Sequence, residues 1–217
     1  MKRIPEDSPL MTGVEQCIAY DKSLHSHEFD EYVCWYEQYV GVSAGTIVDL
    51  GSGSCNFVIA LCLKYPDLKV VCYEESETMI DIANKNINRE NLSNRITIIK
   101  NNLMNATGRY DAVLLNRVLH HIDDTHSLWK LVNSLSDKVL AVDLKRHDDP
   151  LMLSRFIEKI KNLFDPLYVL DTSNSFKAGY SYAEVLEQIK PYNYIVEIVD
   201  MVFEDVSYGK LIIHHTK

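Results

Sequence analysis

Five short apolar runs recur along this chain, and their spacing limits what it can fold into. They are Ile47-Val-Asp-Leu50, Val70-Val-Cys-Tyr73, Ile96-Thr-Ile-Ile99, Ala112-Val-Leu-Leu115 and Val139-Leu-Ala-Val142. Near-continuous rather than alternating apolar runs suit strands covered on both faces, as in a parallel sheet. The pattern predicts strands over 46–50, 69–74, 95–100, 110–116 and 137–143. Helices are predicted over 55–65, 77–90, 124–135 and 150–163, with Pro66 closing the first crossover helix. Strands alternating with helices in this way form right-handed βαβ units and a doubly wound sheet.

The two ends read differently. Residues 11–40 read as one or two helices, with Tyr32, Val33, Trp35, Tyr36, Tyr39 and Val40 on one stripe, and Gly41 to Gly45 as a break. Near the other end, Ser181 is placed to cap a helix over 182–190 that stops before Pro191. Two strands, Tyr192–Val199 and Tyr208–His214, follow with turn signals in Asp205–Gly209, and an antiparallel pair closing a parallel sheet fits them. No Pro-, Gly- or Ser-rich linker divides the 217 residues. We therefore expect one domain over 1–217, with a helical lid over 1–44 and the core over 45–217.

Composition excludes several classes. A hydrophobic content of 47% argues against disorder, and a formal charge of -9 argues against broad binding to a phosphate backbone. No apolar run approaches the roughly 18–20 residues that cross a bilayer, and Met1–Asp7 lacks the apolar stretch of a signal peptide. Cys17, Cys34, Cys55, Cys62 and Cys72 are odd in number and show no paired spacing. Reduced thiols and a cytoplasmic setting are the expectation.

Candidate ligand-binding residues fall at the carboxyl ends of the strands, where an open α/β sheet binds its ligand. The segment Asp49-Leu-Gly-Ser-Gly-Ser-Cys55 joins a strand to a helix through Gly51 and Gly53, so backbone N–H groups can approach a ligand closely. The next strand ends in Glu74, whose carboxylate can accept the hydroxyls of a ribose; Glu75 is the alternative. A dinucleotide site would place a third glycine where Asn56 stands. It would also not put Asp49 next to a pyrophosphate.

With these motifs, the chain resembles the class I S-adenosylmethionine (SAM)-dependent methyltransferases, well over about residues 46–145 and loosely elsewhere. The resemblance implies a Rossmann-like, mostly parallel seven-stranded sheet with an antiparallel C-terminal hairpin and N-terminal lid helices. SAM is the implied cofactor, bound by Asp49, Gly51, Gly53, Glu74, Asn102 and Asn116. In that family an acid after the third strand holds the adenine amino group; Asn102 stands there, and an amide oxygen accepts the same bond. Cys55 replaces the family's third glycine, and is expected to serve as a small residue between helix and strand.

The acceptor side is less constrained. His120 and His121, at the rim past the fourth strand, are the catalytic candidates, because imidazole titrates near neutrality. Asp143, Lys145, Arg146 and His147 end the fifth strand and stand as candidates for acceptor contacts. Tyr20, Tyr32, Tyr36 and Tyr180 are lid candidates, and Lys177 is placed in a loop before a helix. His120, His121, His126 and His147 with Asp123 and Asp124 lack metal-ligand spacing, so no metal is expected. The segment Asn116-Arg-Val-Leu119 stands where methylators of nucleic-acid bases carry an Asn/Asp-Pro-Pro-aromatic tetrad, which weakens that reading. The expected function is methyl transfer to an oxygen or nitrogen of a small molecule, without nucleic acid or membrane, and with a homodimer among the assemblies to test. An RNA or protein methyltransferase, and a non-catalytic SAM-binding partner subunit, are the alternatives.

Overall fold

A computed structural model of the chain describes residues 1–7, 10–23, 26–146, 149–203 and 205–215, with the side chains of 26–28 outside the description. Its strands are β1 (Ala44–Leu50), β2 (Asp67–Glu74), β3 (Ile96–Lys100), β4 (Val113–Asn116), β5 (Val139–Leu144), β6 (Tyr194–Phe203) and β7 (Val206–His215). Its helices are α1 (Val14–Ser23), α2 (Ser26–Tyr39), α3 (Asn56–Lys64), α4 (Glu77–Arg89), α5 (Thr125–Leu135), α6 (Pro150–Ile160), α7 (Pro166–Ala178) and α8 (Tyr182–Ile189). The strands form one sheet in the order β3-β2-β1-β4-β5-β7-β6. β1 to β5 run parallel, and β7 is antiparallel to both β5 and β6. This is the expected doubly wound sheet with its C-terminal hairpin.

The apolar runs are explained by burial on both faces. Ile47, Val70, Leu114 and Leu140 pack beneath α2 and α3 on one side. Their neighbours Val48, Val113, Leu115 and Val139 pack against Leu128, Trp129 and Val132 of α5 and Val185 of α8 on the other. Each such side chain, once fully buried, stabilises the fold by about 1.5–3 kcal/mol. Local signals agree at the helix starts: the Asp124 carboxylate accepts from Ser127 N–H, and Ser181 with Glu184 forms a capping box.

Three expectations are corrected. The fourth strand is shorter than 110–116, because Tyr110 and Asp111 are bonded to Leu135 and Thr46 ahead of the ladder. The C-terminal strands run longer than expected, and Gly209 lies within β7, paired with Asp200, rather than in the turn. Residues 166–178, for which the sequence predicts no element, form the helix α7, so Lys177 lies in its last turn and not in a loop.

Candidate active site

β1 and β4 are neighbours in the sheet although β2 and β3 intervene in sequence, so the chain leaves β1 in one direction and β4 is reached from the other. A crevice opens beyond the strand ends at such a switch point. Gly51 (φ +79) and Gly53 (φ +52) are both left-handed in the turn out of β1. A Cβ on Gly51 would meet Val118 Cγ2 at 2.7 Å, whereas one on Gly53 would meet nothing within 4 Å. Gly51 is thus required by packing, and Gly53 presents bare backbone to open space. Cys55 is left-handed too (φ 62), with its Sγ 3.8 Å from that of Cys72. Glycine would suit this position for its backbone as well as its size, since a side chain in that conformation costs roughly 1–2 kcal/mol.

Glu74 is buried at the end of β2, and its carboxylate is oriented by backbone alone. Oε1 accepts from the N–H groups of Glu75 (2.9 Å) and Ser76 (2.8 Å), and Oε2 from that of Gly53 (2.8 Å). A carboxylate offers about four acceptor sites, so one remains, on Oε2. Glu75 is instead engaged by Asn102, whose Nδ2 donates to it at 2.8 Å. Asn102 Oδ1 accepts from Met104 N–H, which fixes the short turn after β3.

These residues line one cavity of about 320 Å³, together with Asp49, Asn116, Arg117, His121, Tyr20, Phe29 and Tyr32. Asp49 is 3% exposed, and its carboxyl is pushed up to about 7 by burial and by the nearby Glu74. Oδ1 of Asp49 and Oδ1 of Asn116 are buried without a hydrogen-bond partner among the described residues. Two acceptor oxygens left in this state cost roughly 1–3 kcal/mol each, and a ligand bearing N–H donors and positive charge relieves both. The crevice therefore suits a ligand that brings N–H donors and positive charge to Asp49 and Asn116 and a hydroxyl donor to the free acceptor site of Glu74.

The histidine pair divides. His121 lines the cavity and its Nδ1 is 2.8 Å from Glu6 Oε2. Burial disfavours its charged form, yet the Glu6 contact outweighs this and holds His121 above the usual imidazole range. Glu6 shows the converse, lowered by His121 against the effect of burial. His120 is 3% exposed and lies behind His121, the ring centroids 3.9 Å apart. Its Nδ1 is 2.7 Å from Asp143 Oδ1, and Asp143 Oδ2 accepts from the His120 N–H. Burial pushes the Asp143 carboxyl up, but His120 and these bonds hold it low.

Other candidates sit away from the cavity. Arg146 is buried and donates to Met1 O, Gly179 O and both oxygens of Glu184, tying the N-terminus and α8 to the end of β5. Tyr36 and Tyr180 are core residues whose hydroxyls donate to Val42 O and Ile122 O, whereas Tyr20 and Tyr32 do face the cavity. Lys177 borders a second, adjoining hollow lined by Glu6, Asp7, Gln16 and Asp171. His147 lies outside the described residues.

One contributor was expected only as part of a helical lid and enters as a non-helical segment, and a second was not anticipated. The N-terminal segment crosses the site: Ile4 N–H donates to Lys177 O, Arg3 Nε to Ala178 O and Ser76 Oγ to Met11 O. Leu10 and Met11 join the cavity wall. α7 supplies Asp171, Thr172 and Ser175 to the same wall. Asp165-Pro166, an N-cap followed by a proline at the first helical position, is a start signal that would have found it.

Residues 48–137 match the family model described as a methyltransferase domain. No curated protein matches the chain. Among solved structures, magnesium protoporphyrin IX methyltransferase from Synechocystis with bound SAH is similar at 18% identity and TM-score 0.63, over 88% of this chain and 82% of that one. Plantazolicin methyltransferase, in complex with a triazolic substrate analogue and SAH, is similar at 15% identity and TM-score 0.66, over 93% and 90%. The pyocyanin biosynthetic protein PhzM is similar at 17% identity and TM-score 0.58, over 84% of this chain and 53% of that one. Residues 48–137 thus match a methyltransferase-domain model, and the chain as a whole has the fold of the class I methyltransferases.

Proposed function

We propose that this protein is a SAM-dependent methyltransferase acting on an oxygen or nitrogen of a small molecule in the cytoplasm. The observation that carries the reading is the pair of buried, unpartnered oxygens of Asp49 and Asn116 beside the bare backbone of Gly53. Similar proteins, among them those crystallised with SAH, support the choice of ligand. When bound, SAM supplies an already activated methyl group. The chain's task is then chiefly to orient two partners, which accounts for roughly 7–11 kcal/mol of a barrier in well-aligned systems.

Asp49 and Asn116 receive the ammonium end, Glu74 a ribose hydroxyl, and Tyr20, Phe29 and Tyr32 exclude water from above. An acceptor that must lose a proton would meet His121 and Glu6 at the wall formed with α7. His120 is assigned to holding His121 rather than to touching the acceptor. The charge of -9 favours a small acceptor over RNA. Incubation with methyl-labelled SAM and fractionated cell extract tests this. Label is expected in the small-molecule fraction. Label in RNA or protein fractions would replace the acceptor class, and binding of SAM with no transfer to any fraction would leave a partner subunit.

A further inference from the structure

The groups around the histidine pair are more than a proton site requires. One nitrogen of each ring, His120 and His121, and one carboxylate oxygen of Glu6 lie within 4.8 Å of one another. Glu6 Oε2 and His121 Nδ1 are paired at 2.8 Å, but this contact lacks hydrogen-bond geometry, and His121 Nδ1 is buried with no hydrogen-bond partner among the described residues. His120 Nε2 is likewise buried and has no hydrogen-bond partner among the described residues, in a side chain 3% exposed. Its other nitrogen, Nδ1, is held by Asp143 at 2.7 Å.

We propose that Glu6, His120 and His121 form a binding site for one divalent transition-metal ion, zinc by its donor set. Two imidazoles and one carboxylate, with a further position open, is the composition of a zinc site that keeps a place for another ligand. Bonds of about 2.0–2.1 Å at tetrahedral angles separate neighbouring donors by about 3.3 Å. The observed contact of 2.8 Å and the outer limit of 4.8 Å lie on either side of that value. Asp143 completes the arrangement from behind. A carboxylate on Nδ1–H fixes the tautomer that leaves Nε2 with its lone pair, as beside metal-bound histidines generally.

The three ligands come from different parts of the chain. Glu6 lies in the N-terminal segment that crosses the site, held there by the bonds of Arg3 and Ile4 to the end of α7. His120 and His121 follow β4 in a short helical turn. An ion would therefore fasten the N-terminal segment to the sheet, and through His121 would lie at the acceptor wall of the cavity. Sequence spacing could not disclose the site, since the ligand separations are long for the first pair and adjacent for the second. The inference stands on these contacts and needs no donor, so its failure and that of the methyltransferase reading are separable.

The test uses the full chain, stripped of metal by chelator and dialysis, and zinc chloride as the probe. Competition against a chromophoric chelator should give one saturable site, and cobalt substitution should give the visible absorption of a four-coordinate ion. Glu6→Gln and His120→Ala should each weaken zinc binding by a hundredfold or more, and Asp143→Asn by about ten- to a hundredfold. His126→Ala, an exposed histidine nearby, should leave it unchanged. If His120→Ala fails to fold by circular dichroism, Glu6→Gln, which keeps the size and shape of the side chain, decides. Absence of saturable zinc binding would overturn the proposal. So would wild-type affinity in folded Glu6→Gln or His120→Ala, since the ion would then be held elsewhere.

Discussion

Asp49→Asn should raise stability and lower donor affinity at once. Burial and Glu74 push the Asp49 carboxyl from 3.8 to about 7. At about 1.4 kcal/mol per pH unit, keeping it ionised without the donor costs the fold up to roughly 4 kcal/mol. The folded value lies above the unfolded one. The cost is therefore absent below 3.8, grows as pH rises, and is complete above about 7. The amide is nearly isosteric and carries no charge to desolvate. Urea denaturation should show the variant gaining on the wild type between about pH 5 and pH 8. At the upper end the gain is up to about 4 kcal/mol, where each 1 kcal/mol raises the melting temperature of a chain this size by roughly 2–4 °C. Titration calorimetry with SAH should show the reverse. Losing one partner of a buried charged pair costs about 2 kcal/mol or more, at least thirtyfold in affinity. A variant less stable than the wild type at the upper pH, or one binding SAH as tightly, would refute the reasoning about Asp49.

Further substitutions separate ligand contacts from scaffolding. Glu74→Ala should abolish measurable SAH binding. It should also cost about 1–3 kcal/mol in thermal unfolding, because the buried N–H of Ser76 loses its acceptor. Gly51→Ala should be strongly destabilised by its clash with Val118. Gly53→Ala should remain folded with a loss of roughly 1–2 kcal/mol, but bind SAH weakly because its methyl group occupies the donor's space. Arg146→Ala should lose about 3–5 kcal/mol in denaturant unfolding, since it leaves the bonds to Met1, Gly179 and Glu184 unmade, with SAH affinity unchanged. An affinity loss in that variant would return Arg146 to the ligand site.

That Asp49, Gly51, Gly53, Glu74 and Asn116 line one crevice was legible in the sequence because the arrangement is local. Asp49, Gly51 and Gly53 lie in one turn, and Glu74 and Asn116 end strands whose apolar runs are plain. In a parallel sheet, strand ends converge on one edge, so finding the strands finds the site. The wall at Glu6 and His121 was not legible, because it is assembled from distant segments. Nothing near Glu6 or near His121 announces a contact across 115 positions. Arg146 looked like a binding residue by its place at a strand end. Its bonding to Glu184 and to two backbone carbonyls depends on where α8 and the N-terminus pack. α7 carries apolar residues with no clean helical stripe, so periodicity passed over it although Asp165-Pro166 marks its start. Cys55 shows the limit of reasoning from size alone: its left-handed backbone is decided by the turn geometry, which composition does not reveal.

The most direct test is titration calorimetry of SAH into the purified chain, run alongside Glu74→Gln. One site per chain is expected, with affinity cut sharply in the variant, because an amide cannot accept from the Gly53, Glu75 and Ser76 N–H groups and a ribose hydroxyl together. No heat of binding with the folded wild-type protein, or equal affinity in Glu74→Gln, would contradict the assignment of this crevice to SAM.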